Sequence, residues 1–118
     1  MSEVIPTEVQ KLEIQREEWK ELVDRRQAAQ RLAKNIDFRS LILDGFCRDE
    51  AARYVQMSCD PALAANERAD ALGLAQASGH LKRYLSVVTQ MGSYAENQMG
   101  TLEAELVEAR AEEEQGAE

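Results

Sequence analysis

The stretch Leu81–Leu106, LKRYLSVVTQMGSYAENQMGTLEAEL, decides how the chain is read. Placing Leu85 at position a of a heptad puts Ala71, Ser78, Leu85, Gly92, Met99 and Leu106 at a. Position d then holds Leu74, Leu81, Val88, Ala95, Leu102 and Ala109. Every one of these is apolar or glycine except Ser78. Apolar residues spaced alternately by three and four keep one narrow stripe along a helix, as in a coiled-coil seam. The triplet QMG occurs twice inside this pattern, at Gln90–Gly92 and Gln98–Gly100. Glycine in a helix interior costs about 1 kcal/mol relative to alanine, so two of them here need a reason. Gly92 falls on the seam beside Ala95, where a missing side chain lets two helix axes approach. Met91 and Met99 are suited to fill the irregular space left over. Gly100 lies off the seam and marks a bend or an adjacent contact. A competing reading breaks the helix near Gly79 or Gly92, but the unbroken heptad phase favours close packing. The seam is therefore expected at Leu74, Leu81, Leu85, Val88, Gly92, Ala95, Met99, Leu102 and Leu106.

Working outward, TEVQ at Thr7–Gln10 has the form of a capping box, in which side chain and backbone of the two end residues bond reciprocally. Val9, Leu12, Trp19, Leu22, Val23, Ala29 and Leu32 give the helix that follows an apolar stripe. Asn35 to Asp37 reads as a turn with Asp37 as N-cap. FRSLILDGF then makes a short helix with Phe38, Leu41, Ile42 and Phe46 on its apolar side, ended by Gly45. RDEAARYVQMSC resumes as a second short helix, burying either Ala52, Val55 and Cys59 or, if rotated, Ala51, Tyr54 and Met57. In CDPAL, Asp60 is placed to cap and Pro61 to occupy a first helical position, with a fresh helix from about Asn66.

The fold class expected is all-α: two long helices flanking a short helical pair, in an antiparallel hairpin or coiled-coil-like bundle. Residues 1–6 form a leader, 7–113 a single helical domain and 114–118 an acidic tail, with helices at about 8–33, 38–45, 48–58 and 66–113. Trp19, Leu22, Phe38, Leu41, Ile42 and Phe46 are expected to hold a helical head together. The pattern leaves open whether the seam is closed by helix 8–33 of the same chain or by a second copy.

Composition agrees with helix seams. Of 118 residues, 44% are hydrophobic but only 5% aromatic, with two prolines, which suits thin helix–helix contacts better than a thick sandwich core. The net charge of −8 argues against a general binder of nucleic acid or anionic membrane. The charge is uneven, with seven acids against Arg110 from Glu103 to Glu118. Arg25, Arg26, Arg31, Lys34 and Arg39 stand against Asp37 alone and form the expected electrostatic contact. Such polarity offers the acidic end of one copy a basic stretch on another, although two solvated helix faces give the same pattern. Cys47 and Cys59 have no Cys-x-x-Cys spacing and are expected as small buried residues. No apolar run reaches membrane-span length, and the acidic start lacks signal-peptide form.

Chemistry is sparse. His80 has only Ser78, at i−2, nearby as a nucleophile, and that spacing faces away on a helix. The glycines are single and separated, so no phosphate-cradling loop is present. No catalytic residue, cofactor or metal is expected.

Two stretches carry a resemblance. KNIDFRSLILDGFCRDEAARYVQMSCDPAL with HLKRYLSVVTQMGSYAENQM resembles small acidic helical proteins encoded among the structural genes of tailed bacteriophages. DPALAANERADAL, leading into the heptads, is similar to the scaffolding protein of a small podophage, at Asp60, Pro61, Leu63, Ala64, Glu67, Arg68, Ala71 and Leu72. That family implies a short helical head on a dimeric coiled coil, with the capsid shell as partner. This chain departs from it in the long region before Asp60 and in an acidic rather than basic end. The function expected is a non-enzymatic virion or head-assembly protein. It would self-associate as a homo-oligomer and dock on a phage capsid, portal or tail protein, in the virion or host cytoplasm. A membrane or nucleic acid is not expected as partner. The alternative is a small acidic inhibitor or adaptor that binds a host protein, by nucleic-acid mimicry for example.

Overall fold

The computed structural model describes residues 5–116; residues 1–4 of the expected leader and 117–118 of the expected tail lie outside them. The elements are α1 (Glu8–Lys34), α2 (Ile36–Phe38), a π-helical stretch (Arg39–Glu50), α3 (Ala51–Ser58) and α4 (Ala65–Gly116). The chain is all-α, and its two long helices pack antiparallel as a hairpin. Among the described residues no helix is long and apolar enough to cross a membrane.

The capping box closes the start of α1. The Thr7 N–H donates to Gln10 Oε1 at 2.9 Å and the Gln10 N–H donates to Thr7 Oγ1 at 3.1 Å. Glu8 in the first turn and Arg31 and Lys34 in the last complement the partial charges at the two helix ends.

Asn35, rather than Asp37, is the cap that restarts the helix. Its backbone is extended at φ −72°, ψ 123°, and its Oδ1 accepts the Phe38 N–H at 2.9 Å. Asp37 falls instead within the first turn.

The expected stop at Gly45 does not occur. A glycine C-cap needs a positive φ, and among the described residues no glycine has one. The backbone passes through Gly45 in wide π turns and runs on into α3. The Ala51 N–H bonds to Phe46 O, five residues back, as well as to Arg48 O. A Cβ on Gly45 would lie 3.1 Å from the Ser40 carbonyl oxygen, also five residues back. The wider turn changes which side chains are covered. Phe38, Ile42, Phe46, Glu50, Tyr54 and Ser58 are all half-buried at four-residue spacing, and Cys47 is buried. Leu41, read as head core at α-helical spacing, is exposed. By the end of α3 the rotated alternative holds: Ala51, Tyr54 and Met57 are half-buried, while Ala52, Val55 and Cys59 are exposed.

Asp60 and Pro61 form a turn and not a helix start. Asp60 Oδ1 accepts the Ala62 N–H at 2.9 Å, and the Leu63 N–H donates to Asp60 O at 3.2 Å. The fresh start comes at Ala65, where Glu67 Oε1 reaches back to the Ala64 N–H at 3.2 Å. From there α4 continues for 52 residues through Gly73, Gly79, Gly92 and Gly100.

Contacts divide the described residues into two compact units, one of residues 5–27 with 89–116 and one of residues 28–88. The first is the hairpin of α1 on α4. In the second, Cys47, Ala71 and Ser78 are buried, and Ala75, Leu81, Leu85 and Val88 are half-buried. Ser78, the polar exception in the heptads, donates its hydroxyl to the Ala75 carbonyl at 2.7 Å and so leaves no unpaired donor inside.

Candidate functional site

Within the hairpin unit, α4 presents three small residues, Gly92, Ala95 and Ala109, among larger ones. Gly92, Ala95, Leu102, Leu106 and Ala109 are buried and Met99 is half-buried, with Ala95 and Leu106 at 0% exposure. Facing them, Val9, Leu12, Arg16, Trp19, Val23 and Arg26 of α1 are half-buried. These six positions also alternate by three and four, so the two seams match in period. Their heptad was hidden in the sequence because two of its six members are arginines.

At Gly92 the two helices pack without room for a side chain. A Cβ there would collide with Arg26 Cβ and lie 2.9 Å from the Leu22 carbonyl oxygen and 3.0 Å from Arg26 Cδ. The arginine stem therefore occupies the volume that any larger residue at position 92 would need. Its guanidinium continues across α4, pairing with Glu96 through Nη2 and donating from Nη1 to Ser93 Oγ at 3.3 Å. Arg26 Nε is buried without an acceptor among the described residues, a cost of about 1–3 kcal/mol that good packing at Gly92 has to offset. Trp19 meets Tyr94 edge to face, with ring centroids 5.5 Å apart at 75°. Arg16–Glu103 at 3.8 Å and Arg110–Glu13 at 3.2 Å flank the far end. Such exposed pairs stabilise little, but their order, residue 13 with 110 and 16 with 103, follows the antiparallel register.

The expected site residues thus fall into separate groups. Of the seam positions, Gly92, Ala95, Met99, Leu102 and Leu106 lie in the hairpin, Leu81, Leu85 and Val88 are half-buried in the second unit, and Leu74 is exposed. The expected head core is divided. Trp19 and Leu22 belong to the hairpin unit, whereas Phe38, Ile42 and Phe46 belong to the second, with Leu41 in solvent. Among the five basic residues, Arg26 is committed to Glu96 and Ser93. Arg25, Arg31, Lys34 and Arg39 are exposed.

Chemically, the surfaces offer charge and apolar contact. Among the described residues no three His, Cys, Asp or Glu side chains group as metal ligands. A shallow groove between Leu12, Gln15 and Trp19 of α1 and Gln98, Thr101 and Leu102 of α4 is open to solvent. The depression beside Glu13, Glu17, Glu21 and Asp24 is the outer flank of α1, not an enclosed cavity. Cys47 and Cys59 are both free; burial holds for Cys47 alone, because Cys59 sits past the end of α3. The charge asymmetry follows the two units. Residues 5–27 and 89–116 carry thirteen acids against six bases, and residues 28–88 carry seven acids against eight bases.

No protein-family model, curated protein or solved structure matches this chain.

Proposed function

We propose that this chain is a non-enzymatic structural or assembly protein of a tailed bacteriophage, which associates through helices and docks on a capsid, portal or tail protein. The observation that carries the reading is apolar surface left over once the internal seam is closed. Ile36 is 78% exposed, Leu41 70% and Val107 66%. Side chains of this kind outside a completed seam are suited to contacts with another protein. The similarity of DPALAANERADAL to a phage scaffolding protein supplies the phage context. Mass spectrometry of particles assembled by the phage that carries the gene tests it. The chain is expected in finished virions or in precursor heads, and its absence from both overturns the proposal.

The second reading, an acidic inhibitor of a host protein, draws support from the placement of carboxylates on both hairpin helices. Glu17, Glu18, Glu21 and Asp24 on α1 and Glu105, Glu108 and Glu112 on α4 are all exposed. Capture of a host nucleic-acid-binding protein that is released between low and high salt would favour this reading. Capture that is indifferent to salt would remove it.

A further inference from the structure

Where the helix breaks at Asn35, the unit of residues 28–88 exposes cations and apolar side chains close together in sequence, at a corner of the chain. Around the Asn35 break, Arg31, Leu32, Lys34, Ile36, Arg39 and Leu41 are all exposed. Among the described residues, Arg31, Lys34 and Arg39 have no ion pair. The last part of α4 has the opposite composition. Gly100, Ala104, Val107 and Ala111 are exposed, and they lie within about 60° of one another around the helix. A Cβ on Gly100 would meet nothing within 4 Å, so this face is open to a close approach. Glu108 and Glu114 border it on either side, exposed and without an ion pair among the described residues.

We infer that the acidic end of α4, centred on Val107, docks on the basic corner at residues 31–41 of a second copy. This rests on the proposed function and names the partner of one of its contacts. Charge complementarity selects this pairing over its simplest rival. Two α4 ends packed on each other about a two-fold axis would bring Glu108 and Glu114 against like charges, which is unfavourable across a contact. The head-to-tail pairing sets carboxylates against unpaired cations and Val107 against Ile36 and Leu41. It also gives Gly100 a use, since a residue without a side chain lets the second copy lie close. Each copy carries one end and one corner, so the contact repeats from copy to copy and builds a ring or a filament.

Sedimentation velocity of the full chain at about 50 µM, in about 50 mM and 500 mM salt, tests the pairing. The wild type is expected to associate at low salt and to weaken at least about tenfold at high salt. Two charge reversals, R31E/K34E/R39E and E108K/E112K/E114K, each change only exposed side chains. Either alone is expected to be monomeric, and an equimolar mixture of the two is expected to assemble again. A wild type that stays monomeric at low salt overturns the inference and leaves docking on a different phage protein standing. A corner-reversed variant that associates as the wild type does also overturns it. The chain's absence from phage particles would instead remove the proposed function without touching this contact.

Discussion

The two QMG triplets sit eight residues apart on one helix, yet their surroundings differ completely. Gly92 is buried, and its missing Cβ is occupied by the Arg26 stem and the Leu22 carbonyl of α1. Gly100 is exposed, and an added Cβ there would touch nothing. The same contrast recurs in adjacent positions at Leu106, fully buried, and Val107, largely exposed. One face of α4 is therefore closed by the chain's own first helix, and another is left open. Identical local sequence does not imply identical function; helical phase assigns the role.

That contrast is most severely tested at Leu106. Replacing it with alanine is expected to lower stability by about 2–5 kcal/mol, read as a lower urea midpoint. A cost under about 1 kcal/mol would mean that this part of the seam is not packed. Gly92→Ala comes next. Overpacking costs about 1–3 kcal/mol, against which alanine returns up to about 1 kcal/mol of helix propensity. The net expectation is destabilisation, because backbone and a side-chain stem, not a mobile tip, oppose the new methyl. Gly100→Ala should go the other way, stabilising by about 0.5–1 kcal/mol in the monomer, since only propensity changes. Val107→Ala should leave the stability of the monomer within about 0.5 kcal/mol of wild type.

The smallest effect is a control in the second unit. The Glu50 carboxyl is held below its usual range, chiefly by the hydrogen bond from the Arg53 guanidinium, at 2.6 Å. Its contribution is present above the unfolded-state pKa and is lost as pH falls through the lower folded value. Carboxyl-detected NMR titration should show Glu50 returning toward the ordinary range in Arg53→Ala. An unchanged titration would discard that pairing, and the hairpin variants should not move it.

Much of the architecture was legible because it depends on period and capping alone. The heptads of α4 are read directly from Leu85, Gly92 and Leu102, and Thr7 with Gln10 announces the start of α1. What the sequence conceals depends on contacts between segments. Arg16 and Arg26 look like solvent residues until Gly92 is seen to make room for an arginine stem. Gly45 has the composition of a helix stop, and only the wide turn that brings the Ser40 carbonyl beneath it explains its use inside a helix. At 3.6-residue spacing Leu41 falls on the core side, and the wider local turn carries it out to solvent. The corner at Ile36 was visible as charge, but its exposed apolar side chains were not.

If α1 and α4 of the same molecule cover each other at Trp19 and Tyr94, partners meet only outward faces. An isotope-filtered NOE experiment on a mixture of labelled and unlabelled chains tests this directly. Ring contacts between Trp19 and Tyr94 should appear in the intramolecular spectrum and be missing from the intermolecular one. Their appearance between labelled and unlabelled chains would show that a second copy closes the seam, and would contradict the account.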